Sequence, residues 1–374
     1  MALSILRWSA VVLALLLFLL VLQATRLWLA AQDAPRHFER KGNLTAVERL
    51  STYRLQQDLV QEYRLFSSSG LEVDIAVRRP PEPLPGNPLL LLMGGQETGR
   101  AAVDVIPDTR GATVAAISYP FGTVPHRSLW QVFLALPRIQ QGIFDTPASA
   151  LLALDFLLTP DADINPRRVE LAGISFGAYL ASVPAALDNR IQRLWLIHGG
   201  GAPEKVFYYG LDKRIPFSPL RRAVAKYLAS VAGTQHLGPE LWAGQVSPRP
   251  MVLVHATREN ALPNVAIKSL EFAVRQPFEI LYTPGKHVHP DRPEVVTAIS
   301  ELMFQRIRGD VSPDLTLLTT SPVTTGGATD TRKERPHWLP LSTVAANTNT
   351  ISFEGQRAAF CLSERQLGHP HRIF

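Results

Sequence analysis

The chain of 374 residues is long enough for one large domain or two small ones with a sizeable buried core, and a hydrophobic fraction of 46% against 19% charged residues marks a globular protein carrying an extra apolar segment. Its formal charge of +6 is spread along the sequence with no Lys/Arg block interleaved with aromatics, which sets nucleic-acid binding aside in favour of a solvated basic surface. The single cysteine, Cys361, excludes an intramolecular disulfide.

No charge interrupts the run from Trp8 to Thr25, WSAVVLALLLFLLVLQAT, and Arg7 precedes it. A membrane-spanning helix needs about 17–25 such residues, and this run is apolar on every face, unlike a core helix. Residues 1–33 are therefore expected to form an uncleaved single-pass anchor. The alternative is a cleaved signal, cut after Leu22-Gln23-Ala24 or Leu29-Ala30-Ala31. Arg26, Arg36, Arg40 and Lys41 follow the run, which by the positive-inside rule favours a cytoplasmic body. The signal-like start favours the opposite, and the body of the protein is expected on the periplasmic or extracytoplasmic side.

Residues 34–58, with Val47, Leu50, Leu55 and then Leu59 at helical spacing, read as a linker helix. VQEYRLFSSSGLEVDIAVRRP alternates on both sides of Ser67-Ser68-Ser69-Gly70 and predicts a β-hairpin. The stretches 89–93, 112–120, 169–174, 191–198, 251–256 and 278–284 are apolar through both faces, and helical stretches at 147–158, 177–187, 264–275 and 293–308 fall between them. Strand alternating with helix predicts an α/β fold, a mostly parallel sheet flanked by helices and entered through the antiparallel hairpin. Residues 199–248 are too many for a simple crossover and predict a small helical cap insertion. Its Tyr208, Tyr209, Phe217 and Trp242 suit cap packing or contact with a ligand. Residues 59–308 make up the domain, and 309–374, rich in Ser, Thr and Gly, are expected to be a disordered tail.

Gly173-Ile174-Ser175-Phe176-Gly177 lies between the strand-like Val169–Ala172 and a helix-like run of small residues from Ala178. Glycines two positions either side of a serine allow a corner too sharp for side chains, and such a corner projects the serine above the sheet edge. The helix start beside it offers backbone N–H groups where negative charge would develop.

With the hairpin, a strand ending in Gly94-Gly95, the serine corner, the cap, an acidic residue after the penultimate strand and a histidine after the last, residues 59–308 resemble the α/β-hydrolase fold family. The resemblance implies Ser175 as nucleophile. It implies His287, in Gly285-Lys286-His287 ahead of Pro293-Glu294, as the base, with His289 as its rival. Laid on the family pattern, His255-Ala256 and Pro263 frame Glu259 as the acid, where aspartate is the commoner residue. The oxyanion donors implied are the N–H of Phe176 and that of Gly95 or Gln96. His198-Gly199-Gly200-Gly201 spells an oxyanion motif of some lipases, but it follows the serine and reads as a strand–cap turn. The implied activity is carboxylesterase-like: hydrolysis of a small-molecule acyl ester through an acyl-enzyme, with no metal or organic cofactor. Peptidase, thioesterase and acyltransferase chemistry share the fold, and a non-catalytic, membrane-tethered binding protein on the same scaffold stays open.

Overall fold

The computed structural model describes residues 2–95, 97–122, 129–160 and 164–309. Gln96 and the tail from 310 to 374 lie outside the described residues. The described strands are β1 (Leu44–Leu55), β2 (Asp58–Ser67), β3 (Glu72–Arg79), β4 (Leu89–Met93), β5 (Thr113–Ile117), β6 (Val169–Ile174), β7 (Arg193–Ile197), β8 (Met251–Ala256) and β9 (Phe278–Thr283). They form one sheet in the order β1-β2-β3-β5-β4-β6-β7-β8-β9. The pairings from β1 to β5 in that order are antiparallel, and those from β5 through β4 to β9 are parallel.

The helices are α1 (Ala2–Gln32), α2 (Ala102–Val105), α3 (Leu129–Leu157), α4 (Phe176–Leu180), α5 (Ser182–Leu187), α6 (Pro203–Gly210), α7 (Ser218–Val231), α8 (Thr234–Leu237), α9 (Pro239–Val246), α10 (Asn264–Ala273) and α11 (Pro293–Arg308). Alternation along β4 divides the core. Leu89, Leu91 and Met93 pack with Phe144, Leu152 and Leu154 of α3 on one face, while Leu90 and Leu92 pack with Val103 of α2 and Ile299, Met303 and Phe304 of α11 on the other. Burial on both faces explains why the parallel strands read as continuous apolar runs. Helices α6 to α9 fill the region between β7 and β8, where the sequence predicts a cap.

Two expectations need correction. Residues 34–58 are not a linker helix: Ala34–Lys41 is a short 3-10 helix, and Leu44–Leu55 is the edge strand β1, paired with β2 across a turn in which Gln56 has φ 56°. Thr45, Val47, Thr52 and Tyr53 suit a strand, and because an edge strand buries little, its few apolar residues fell at helical spacing without marking a helix face. Helix α3 also begins at Leu129, far ahead of residue 147, and carries Pro137 and Pro147 inside it; these prolines, which ordinarily stop a helix, hid its N-terminal half.

Helix α1 exposes Trp8, Val11, Leu15, Leu17, Phe18 and Leu19, while its last turns bury Leu27 and Ala31 against the domain. Gln140 of α3 donates to the Leu27 carbonyl at 2.6 Å, and Asp145 of α3 accepts from His37 and Arg40. Among the described residues no helix is long and apolar enough to cross a membrane, so the expected spanning helix is not shown.

Arg78 of β3 is fully buried. Its Nε donates to Asp58 at 2.6 Å, and its Nη1 donates to the carbonyls of Val103 and Ile106 at 3.0 and 2.7 Å. One guanidinium therefore holds α2 to the sheet. Arg78→Met would leave the Asp58 carboxylate uncompensated in the interior and should lower the unfolding free energy by about 3–5 kcal/mol in urea titration. The double variant with Asp58→Asn should lose less than the single one.

Candidate active site

Ser175 sits at the junction of β6 and α4 with φ 57° and ψ −108°. A non-glycine residue there is strained and persists only where its surroundings over-determine it. Its N–H donates to the Ile197 carbonyl at 2.8 Å, which carries the sheet pairing into the corner. A Cβ at Gly177 would overlap the Met93 carbonyl, and one at Gly173 would lie 2.6 Å from the Ala178 Cα. The two glycines let α4 fold back on β6 and press against the end of β4. Gly94 and Gly95 consequently reach the same cavity wall as Ser175. Thr98 donates to the Gly95 carbonyl through both N–H and Oγ1, and the Tyr119 hydroxyl donates to the Gly94 carbonyl, which fixes that turn.

The Ser175 hydroxyl lies 2.7 Å from Nε2 of His287, and Nδ1 of His287 lies 3.0 and 2.9 Å from the two oxygens of Glu259. Ser175 and His287 are only 2% and 4% exposed. Oε1 of Glu259 also accepts the N–H groups of Asn260, Ala261 and Leu262 at 2.9, 2.7 and 3.2 Å. Burial pushes the Glu259 carboxyl up, but the hydrogen bond and charge of His287 and the Ala261 N–H outweigh it and bring its pKa down to about 2. An ionised carboxylate only accepts, so the Nδ1 proton is assigned to the bond with Glu259, which leaves the Nε2 lone pair facing the Ser175 hydroxyl.

His289, the other histidine of this loop, is separate from that chain of bonds. It stands on the cavity wall, its Nε2 4.0 Å from Glu97 and its Nδ1 accepting the Asp291 N–H. Phe176 is the first residue of α4, its ring buried edge-on to Tyr119 with centroids 4.8 Å apart. The cavity beside Ser175 encloses ≈ 650 Å³, part of it open to solvent, between Ala102 and Val105 of α2 and Val296 and Ile299 of α11. None of the four cap aromatics lines it. Tyr208 packs under the Arg221 guanidinium at 4.2 Å, Trp242 packs edge-on to Phe38, and Tyr209 and Phe217 are exposed.

Sequence reasoning gave His198 no role beyond a strand–cap turn. It directly follows β7, is 1% exposed, and has its ring centroid 5.5 Å from that of His287. Ligand atoms of His198, Glu259 and His287 lie within 4.8 Å of one another. Both nitrogens of His198 and both oxygens of Glu259 are already hydrogen-bonded, so a cation would have to displace those bonds. The one available signal was a histidine at a strand end, running into three glycines.

No protein-family model matches the chain, and no curated protein does. Solved structures do. Acetyl xylan esterase 1 from Thermoanaerobacterium sp. JW/SL YS485 superposes with a TM-score of 0.50 at 14% identity, over 75% of this chain and 94% of that one. The acetyl xylan esterase from Paenibacillus sp. R4 gives 0.50 at 16% identity, over 77% and 95%. This is the α/β-hydrolase fold. At these identities the likeness shows the fold alone, and chemistry has to be argued from the site.

The low Glu259 pKa has a consequence for stability. The group's ordinary value is 4.5 and its folded value about 2, so between them the unfolded chain binds the extra proton. Its contribution is complete above about pH 4.5 and is lost as pH falls through 2. In urea unfolding, the stability difference between wild type and Glu259→Gln should be largest near neutral pH and shrink steadily over that interval.

Proposed function

We propose that the chain is a serine hydrolase that cleaves small carboxylic esters through an acyl-enzyme. The observation that carries this reading is the unbroken chain of hydrogen bonds from the Ser175 hydroxyl through His287 to Glu259, at a strained corner beside a largely apolar cavity. That two solved proteins of the same fold are esterases by name fits it.

In this reading Ser175 Oγ attacks the ester carbonyl carbon as its proton passes to Nε2 of His287. Glu259 remains a carboxylate throughout; it holds the imidazole in the reactive tautomer and stabilises the imidazolium. The oxyanion meets the N–H of Phe176 and a second N–H from the turn after β4, at Gly95 or Gln96. His287 returns the proton to the departing alkoxide. Water then attacks the acyl group, gives its proton to His287, and the acid leaves with Ser175 restored. Burial excludes bulk water from this exchange and strengthens each charge–dipole contact.

Ser175→Ala should lower turnover of p-nitrophenyl acetate by about 10⁴-fold or more, and His287→Ala by a similar factor. The double variant should be little worse, because the residues act as a unit. His289→Ala should remain within about threefold of wild type, being outside the chain of bonds. A fluorophosphonate should label the wild type and not Ser175→Ala. Wild-type turnover by purified Ser175→Ala would sink the reading.

We also propose that α1 anchors the protein to a membrane. The uncharged run from Trp8 to Thr25 and the exposed side chains of Trp8, Val11, Leu15 and Phe18 support it. Full-length protein should sediment with membranes, resist high salt and be released by detergent. Recovery in the soluble fraction with a new N-terminus near Gln32 would instead mark a cleaved signal.

A further inference from the structure

The serine-hydrolase reading leaves His198 unused, although it is one of the most constrained side chains in the protein. Its φ is 49°, a left-handed conformation that costs a histidine energy. A Cβ at Gly199 would come within 2.6 Å of the Ala178 Cβ, and one at Gly200 within 3.1 Å of Ala266. The glycines thus let the chain turn away from β7 between α4 and α10 while the His198 ring stays inside.

Both faces of that ring's bonding are used. Nδ1 accepts the N–H of Val288 at 2.8 Å, so the ring proton is on Nε2, which donates to Thr283 Oγ1 at 2.8 Å. Thr283 ends β9, and Val288 follows His287 directly. One rigid ring therefore grips the loop carrying His287 at its start and just past its working residue. Burial first, then the neighbouring His287, depresses the His198 pKa to about 3, so the ring is neutral and places no like charge beside an imidazolium on His287.

We propose that His198 is a positioning residue for the Ser175 reaction: by accepting the Val288 N–H it fixes the backbone from which His287 meets the Ser175 hydroxyl at 2.7 Å. This rests on the serine-hydrolase reading. A general base displaced by about 1 Å loses on the order of 10²-fold in rate, while the cavity walls that α2 and α11 contribute stay in place.

The test uses full-length protein, p-nitrophenyl acetate, and fluorophosphonate titration to count folded active sites. His198→Phe keeps a planar ring and removes both bonds. It should lower kcat per titrated site by about 30- to 300-fold with KM within about threefold. His198→Asn returns an acceptor near the Nδ1 position and should recover most of that loss. Thr283→Val, a milder change, frees the tautomer and should lower kcat about three- to tenfold at unchanged KM. A folded His198→Phe with kcat within twofold of wild type overturns the proposal, as does equal loss in His198→Phe and His198→Asn. If His198→Phe does not fold, wild-type kcat in Thr283→Val overturns it. Full activity in Ser175→Ala would remove the underlying reaction instead, a separate outcome read from a separate variant.

Discussion

The site depends on the contact between Gly177 and the end of β4. Because Gly177 carries no side chain, the first turn of α4 seats directly on the Met93 carbonyl. With α4 seated there, Ser175, the residue before the helix, adopts φ 57° and turns out of the sheet toward the ends of β8 and β9. It also brings the Gly94-Gly95 turn beside the serine. Strain at one residue is offset by packing that extends over both faces of the sheet, where β4 and β6 are central and buried.

Glutamate in place of the commoner aspartate fits here for a local reason. The loop after β8 turns tightly at residues 259 to 263, and the longer side chain folds back so that Oε1 collects three successive N–H groups of its own loop. The same carboxylate then reaches Nδ1 of His287 with both oxygens. The extra methylene is absorbed by the turn, and His287, helped by the Ala261 N–H, holds the carboxylate ionised in a setting where burial alone would favour its protonation.

The sequence made the parallel strands and the serine corner legible because their signals are local: continuous apolar runs for strands buried on both faces, and paired glycines where a corner excludes Cβ atoms. Glu259 and His287 were implied by the resemblance to the family pattern, in which an acid and a histidine follow the last two strands. The edge strand β1 was misread because an exposed strand leaves almost no burial pattern, so Val47, Leu50 and Leu55 mimicked a helix face. The contacts of His198 were not legible because its partners, Val288 and Thr283, lie some ninety residues away and meet it only through the order of β7, β8 and β9 in the sheet. The cap aromatics misled in another way: composition marks them as apolar, and only the packing shows that the cavity is lined from α2 and α11.

The join between α1 and the domain sets the molecule's freedom of movement. Leu27, Ala31 and Ala34 are buried, Gln140 holds the Leu27 carbonyl, and Asp145 grips His37 and Arg40 on the segment that follows. No loose tether separates the helix from the body, unlike the flexible linkers that let a domain sample many orientations. Whatever surface α1 rests on or enters therefore dictates the tilt and altitude of the serine corner. In the proposed anchored state the protein stands as a fixed turret rather than a buoy on a line, and Ser175 is presented at that one height.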